Sequence, residues 1–320
     1  MTDTGIDVIG VARSFGAVHA VRDATFSAPA GAVTALIGPN GSGKTTLMLM
    51  LASLLTPDSG SIRIAGQDPV ADPRAVRAAM GWMPDVLGSW ATLSVRATLE
   101  ITGRLHGLSK PASAARAEEL IDLVGLEPLA QQPTRVLSRG QKQKLSLARS
   151  LVHDPRVLLL DEPASGLDPS ARAELRILVR RLADEGRCLL VSSHVLSELD
   201  EMADSAVYIE AGASVSAERI GRAKASLRQW RVRALDASAV PAAVEAAGVE
   251  RDRIGRDHLG TLVSVESEAE AASVLTKLVG AGLAISSFAP VVGDLEHTYL
   301  DLSRGAVPAQ PVIDGTEDLS

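Results

Sequence analysis

The stretch "AVTALIGPNGSGKTTLML", residues 32–49, constrains the fold more than any other. An unbroken apolar run, a glycine-rich segment and a second apolar run read as a buried strand, a tight turn and a helix. The turn carries the spacing G-x-x-x-x-G-K-[ST] with Gly38, Gly43, Lys44 and Thr45, in the strand-to-helix setting this motif needs. Its glycines allow backbone amides to converge on a phosphate, Lys44 supplies a point charge and Thr45 offers a hydroxyl to Mg²⁺. A glycine-rich turn with a chance lysine is the plainer reading, and the flanking strand and helix count against it. Such a unit belongs in an α/β domain with a mostly parallel sheet.

Residues 1 to about 210 alternate short apolar runs with helical stretches, as that architecture requires. Between "GSIRIAG" and "RVLLLDEP" the β signals thin out, and helices are predicted over 93–108, 112–124 and 138–152. The second stops at Gly125 with Pro128 soon after. This stretch, about 86–153, reads as a helical subdomain inserted in the α/β core of a first domain spanning 5–215. After Ala217 the texture changes: strand, helix, strand, helix, strand, helix are predicted between "QWRVRAL" and "DLEHTYLDL". Ala271, Val274, Leu275 and Leu278 make one apolar helical face. A small α+β domain of ferredoxin-like type is expected over 222–304, followed by a disordered tail over 305–320 whose proline, glycine and acid show no periodicity.

Three further segments carry chemistry. "VLLLDEP" sets Asp161 and Glu162 at the end of a buried strand, where ligands bind parallel sheets: Asp161 to hold Mg²⁺ through water, Glu162 to polarise an attacking water. "LLVSSHVLSEL" repeats the arrangement with His194; a lone histidine is more often a structural hydrogen-bonder, but a place after a second core strand favours a role at the same site. "LSRGQKQKLSLARSL" opens with Ser138 and Gln141 at capping-box spacing. Free amides remain at this helix start, and Gly140 lets an anion approach the backbone, so it is a second anion site without an obvious anion.

These motifs in this order make residues 5 to about 215 resemble the nucleotide-binding subunit of an ATP-binding-cassette transporter. "GPNGSGKTT" resembles the phosphate loop of that family, "LSRGQ" its signature, "LLLDEP" its Mg²⁺ and base motif, "SGLD" its D-loop and "SSH" its switch histidine. The resemblance implies that Gly38, Pro39, Asn40, Gly41, Ser42, Gly43, Lys44, Thr45 and Thr46 hold ATP, with Mg²⁺ on Thr45 and Asp161. It implies that two cassettes, here expected to be identical copies, pack head to tail on binding ATP. Ser138, Arg139, Gly140 and Gln141 then act in trans on the partner's nucleotide, and Asp168 crosses the interface. His194 contacts the γ-phosphate and the attacking water, and Phe15 stacks on adenine; an ordinary core position is the other reading of Phe15.

Two positions depart from the family pattern. Arg139 stands where a second glycine is frequent, its charge either aiding the phosphate or facing solvent. Asp85 replaces a glutamine that touches Mg²⁺ and water; an aspartate can approach Mg²⁺ but has no amide to donate. The same stretch, "MGWMPDVLGSW", holds Trp82, Met83 and Trp90 beside the groove that in the family receives a helix of the membrane subunit. Partial exposure of Trp90 is expected if it is an anchor there; core packing is the alternative. "DLEHTYLDLSRG" resembles the close of cassette subunits in the drug- and antibiotic-exporting branch.

Composition narrows the function class. With 32 Lys plus Arg against 39 Asp plus Glu, a formal charge of -7 disfavours nucleic acid as a partner. The single cysteine, Cys188, sits in an apolar run and reads as a small buried hydrophobe, in keeping with a reducing cytoplasm. No run approaches the roughly 20 apolar residues that span a bilayer, so any membrane role is peripheral; the resemblance implies a place on the inner face of the membrane, beside a separate permease. The resemblance implies an ATPase subunit that powers export of a drug, antibiotic or lipid-like cargo, with an importer cassette as the nearest competing function. A soluble cassette ATPase lacks support in a chain with one cassette and no sustained heptads, and a P-loop kinase or GTPase leaves "LSRGQ" without a purpose.

Overall fold

A computed structural model describes residues 4–86, 88 and 90–305. The tail expected beyond residue 305 lies outside the described residues. The chain divides into two compact units, Met1–Val215 and Ser216–Ser320.

The first unit runs β1 (Thr4–Phe15), β2 (Val18–Pro29), β3 (Val33–Ile37), α1 (Lys44–Leu51), β4 (Ser59–Ile64), α2 (Pro73–Ala79) and β5 (Met80–Met83). It continues with α3 (Val95–Leu105), α4 (Lys110–Leu123), α5 (Arg139–Leu151), β6 (Val157–Asp161), α6 (Pro169–Asp184), β7 (Cys188–Ser192), α7 (Leu196–Asp200), β8 (Ser205–Glu210) and β9 (Ala213–Ser214). The nine strands form one sheet, ordered β4-β1-β2-β9-β8-β3-β7-β6-β5. Its working half, β8-β3-β7-β6-β5, is parallel throughout. Every residue of β3, β6 and β7 is buried, the signature of strands covered on both faces. Because β3, β7 and β6 are adjacent and parallel, the loops leaving their C-terminal ends emerge side by side, and that is what positions the site.

The wing β4-β1-β2 is antiparallel, and the β1–β2 pairing changes register four times along its length. Ile6, Val8, Leu36, Leu47, Met48 and Ile64 join one apolar core between wing, parallel strands and α1. Helices α3, α4 and α5 fall within two or three residues of the ends expected from sequence. Helix α4 starts two residues early because Ser109 accepts the Ala112 N–H and Pro111 suits the first turn. Helix α5 has the expected capping box.

The second unit comprises α8 (Ala217–Lys224), β10 (Arg228–Ala234), α9 (Val240–Ala246), β11 (Ile254–Arg256), β12 (Thr261–Val265), α10 (Glu268–Gly280), β13 (Ile285–Pro290) and α11 (Asp294–Gly305). Its antiparallel sheet has the order β11-β12-β10-β13, the βαββαβ arrangement of a ferredoxin-like fold. Val232, Val244, Val263, Val265, Val274 and Leu278 form its core. Sequence reading missed β11, a three-residue edge strand too short to show alternation, and α8. Among the described residues no helix is long and apolar enough to cross a membrane.

Candidate functional site

The loop 38–43 joins fully buried β3 to α1. Gly43 precedes the helix with φ 102° and ψ 0°, and a Cβ there would lie 2.3 Å from the Ala20 carbonyl oxygen, so only glycine is accommodated. No side chain caps α1, which leaves its first amides available to an anion. Ser42 Oγ, buried beside them, has no hydrogen-bond partner. Lys44 Nζ donates to the carbonyls of Gly38 at 2.6 Å and Pro39 at 3.1 Å. Burial lowers its pKa, against the opposing pull of Glu162 and Asp161. Pro39, Asn40, Gly41 and Thr45 are exposed, and Thr46 is half-buried.

At the end of β6, Asp161 is 5% exposed and accepts a hydrogen bond of 2.5 Å from Ser192 Oγ. Burial raises its pKa, and the neighbouring charges of Glu162 and Asp85 raise it further, while Ser192 and Lys44 act the other way. Asp85, exposed in the loop after β5, therefore lies on the Asp161 side of the site. Glu162 has φ 52°, left-handed backbone that a residue with a Cβ adopts at a cost of about 1–3 kcal/mol. Its surroundings fix that conformation. The Glu162 N–H donates to Ser192 O and Oγ, each at 3.2 Å; its carbonyl accepts from Ser165 N–H at 3.0 Å and Gln143 Nε2 at 2.7 Å. Its side chain reaches His194, with 2.7 Å between Oε2 and Nδ1.

The donor set fits Mg²⁺ held jointly with phosphate. Thr45 offers a hydroxyl and Asp161 a buried carboxylate crowded by two further acids, which a divalent cation would relieve. Among the described residues no cluster of three metal-ligating side chains exists, and Mg²⁺ ordinarily keeps several waters and takes only one or two carboxylates beside phosphate oxygens.

The second candidate anion position is the start of α5. Ser138 Oγ accepts the Gln141 N–H at 3.2 Å, and Gln141 Oε1 accepts the Ser138 N–H at 2.9 Å. Arg139 is exposed and donates to Ser165 Oγ at 2.7 Å. Its stem covers Gly166 (φ 76°), where a Cβ would lie 2.7 Å from Arg139 Cδ. Gly140 permits the same approach, since its Cβ position is 3.3 Å from both Gly166 O and Leu167 Cδ2. Asp168 caps α6 by accepting the Ala171 N–H at 3.0 Å, which holds its carboxyl below the usual range.

The structure thus gathers the loop 38–46, Asp85, Asp161, Glu162 and His194 at one end of the parallel strands, whereas Ser138 and Gln141 bond to each other at a separate helix start. Phe15 is 49% exposed, with the Arg13 guanidinium 5.0 Å from its ring centre, and is not a core residue. Sequence reading missed Ser165, Gln143 and Ser192. Gln143 alone left a trace, as a polar residue one turn before Leu147 on the buried face of α5.

A groove of about 360 Å³ runs beside the loop after β5, lined by Trp82, Pro84, Val86, His106, Arg149 and His153 among others. Met83 is fully buried and Trp82 packs partly into the core, while Trp90 is 42% exposed under the Arg149 guanidinium, 5.4 Å from its ring centre.

The ABC transporter family matches residues 21–165. The daunorubicin resistance ATP-binding protein DrrA3 of Streptomyces coeruleorubidus is 39% identical over 66% of this chain and 67% of its own. The daunorubicin/doxorubicin resistance ATP-binding protein DrrA of Streptomyces peucetius is 33% identical over 93% of this chain and 92% of its own, an alignment too long to be confined to the first unit. Among solved structures, an ATP-binding subunit of an ABC transporter superposes with a TM-score of 0.63 at 27% identity, covering 68% of this chain and 92% of the other. Phosphate loop, strand-end acid pair and histidine on one parallel sheet, together with relatives this similar over this length, establish that the chain belongs to the ABC transporter family as an ATP-binding ATPase subunit.

Proposed function

We propose that this subunit powers export through a separate membrane-spanning permease, binding and hydrolysing ATP in a dimer of two identical cassettes on the inner face of the membrane. The amides of 38–43, with Lys44 released from the Gly38 and Pro39 carbonyls, hold the phosphates; Thr45 and Asp161 hold Mg²⁺, with Asp85 near it. Bound there, Mg²⁺ would supply charge neutralisation for the phosphates. Phe15 offers an exposed π-face to adenine. Ser138, Gly140 and Gln141 meet the partner's nucleotide at the free end of α5, and Asp168 lies across the interface. Arg139 acts through Ser165 and Gly166 of its own chain.

One observation carries this reading: Glu162 is pinned in left-handed backbone with its carboxylate 2.7 Å from His194, beside Asp161 and Lys44. A carboxylate so placed can take the proton of an attacking water, and His194, 64% exposed, can turn towards the γ-phosphate. Closure on ATP and reopening after hydrolysis would switch the permease between its two access states. The groove beside Trp82 and Trp90 suits a helix of that permease, because an exposed aromatic next to apolar wall is the usual anchor of such a contact. Export, and an antibiotic-like cargo, follow from the drug-resistance relatives.

The test is Glu162→Gln. It should retain ATP binding, lose at least about 100-fold in turnover, and accumulate as an ATP-bound dimer by light scattering. Brisk turnover in that variant, or a strict monomer with ATP, overturns the reading.

A further inference from the structure

The first two turns of α5 do more than present amides at their free end. Arg139, Gly140 and Gln143 all lie against residues 162–167 of the same chain. Arg139 reaches Ser165, Gly140 packs on Gly166 and Leu167, and Gln143, 2% exposed, gives its amide to the Glu162 carbonyl. Lys144, one residue on, donates to Glu174 of α6 at 3.0 Å. The helix start is thereby fastened to the segment that carries the base.

The Gln143 contact is the most consequential of these. Glu162 has two backbone anchors: β7 holds its N–H through Ser192, and Gln143 and the Ser165 N–H share its carbonyl. A left-handed, non-glycine backbone reverts to a commoner conformation when its restraints go. Rotation about φ or ψ at Glu162 would swing the carboxylate away from His194 and from the position of an attacking water. A buried glutamine amide with no donor duty would also be costly; here the duty is the base's own carbonyl.

We infer that Gln143 is a positioning residue for ATP hydrolysis, holding Glu162 in its catalytic orientation through the main chain and tying that orientation to the helix whose free end meets the partner's nucleotide. The inference rests on Glu162 being the base and on the two-cassette arrangement. Those are tested separately by Glu162→Gln.

The experiment compares Gln143→Met and Gln143→Leu with the unaltered chain. Both come close to the side-chain volume, and neither can donate to the carbonyl. The expected result for each is a fall in kcat of about 10-fold, one hydrogen bond's worth of orientation, with KM for ATP and nucleotide-binding affinity within about twofold. Tm should stay within a few degrees. Restoring donation with Gln143→Lys should recover part of the lost kcat without altering KM.

Wild-type kcat in both variants overturns the inference. So does a parallel fall of kcat and nucleotide affinity, which marks a purely structural role. Should Gln143→Met fail to fold, Gln143→Leu, apolar and of similar volume, decides alone. If Glu162→Gln hydrolyses normally, the base assignment fails instead, whatever the Gln143 variants do.

Discussion

The site end of the parallel sheet and the second unit use polar side chains in opposite ways. In the second unit charges pair locally: Arg231 with Asp257 at 2.6 Å, Arg253 with Glu270 at 3.1 Å, and Arg228 with Asp294. At the site, Asp161 and Glu162 stand side by side with Lys44 near them, Ser42 Oγ has no partner, and α1 has no cap. The difference follows from the sheets. Parallel strands deliver all their C-terminal loops to one end, where unneutralised groups accumulate and a ligand can complete them. An antiparallel sheet sends successive loops to opposite ends, so its polar groups must pair where they are.

The sharpest way to break this contrast is Lys44→Ala. ATP hydrolysis should drop by about 100-fold or more, because the cation proposed to bind phosphate is removed. Unfolding without nucleotide should be little affected, since the lysine's burial already disfavours its charge. A large loss of stability with hydrolysis preserved would mean that the cassette cluster is as structural as the pairs of the second unit.

The converse test falls in the second unit. Val263, fully buried in its core, should cost about 2 kcal/mol on replacement by Ala, by loss of transfer energy and creation of a cavity. Denaturation followed at Trp230, the tryptophan of that unit, should register the loss, with kcat per bound ATP unchanged.

A smaller effect on stability is expected from Asp161→Asn. In the native state burial raises the Asp161 pKa, so the folded form holds its proton more tightly than the unfolded chain, and stability falls as pH rises above the ordinary carboxylate value. The asparagine, still able to accept from Ser192, should raise Tm at pH 7 in nucleotide-free protein while abolishing turnover. The gain should shrink towards pH 4. A lower Tm would show that the charge is already compensated within the fold.

Legibility in the sequence divides along similar lines. The phosphate loop, the strand-end acids and the α5 capping box could be read because their meaning lies within a few consecutive residues. The βαββαβ unit was readable for the same reason, except for β11, whose three residues include Gly255 and carry no pattern. What escaped were partners distant in sequence: Gln143 on Glu162, 19 residues away, and Arg139 on Ser165, 26 away. Arg139 looked free because its partner is an ordinary serine. The strain at Glu162 was invisible, as an acid after a strand ordinarily has negative φ.

The subtlest expected difference is in acid. His153 stacks on His106 at 3.9 Å, with its Nε2 3.0 Å from the Met80 carbonyl oxygen. Burial, chiefly, and then His106 push its pKa down to about 4. The unfolded chain therefore takes up that proton first, and the cassette loses stability as pH falls from about 6.5 to about 4. In the second unit the Arg231 guanidinium, with the Leu259 and Gly260 amides, holds Asp257 down to about 2. Its contribution is complete above the ordinary carboxylate value of 3.8 and disappears only as pH falls through about 2. The windows barely touch, so the cassette should weaken first. Tryptophan placement separates the signals: Trp82 and Trp90 report on the cassette, and Trp230 on the second unit. In an acid titration of single-region tryptophan variants, His153→Gln should flatten the upper window alone and Arg231→Met should lift only the lower midpoint. Coincident transitions, unmoved by either substitution, would mean that the two units answer to acid as one.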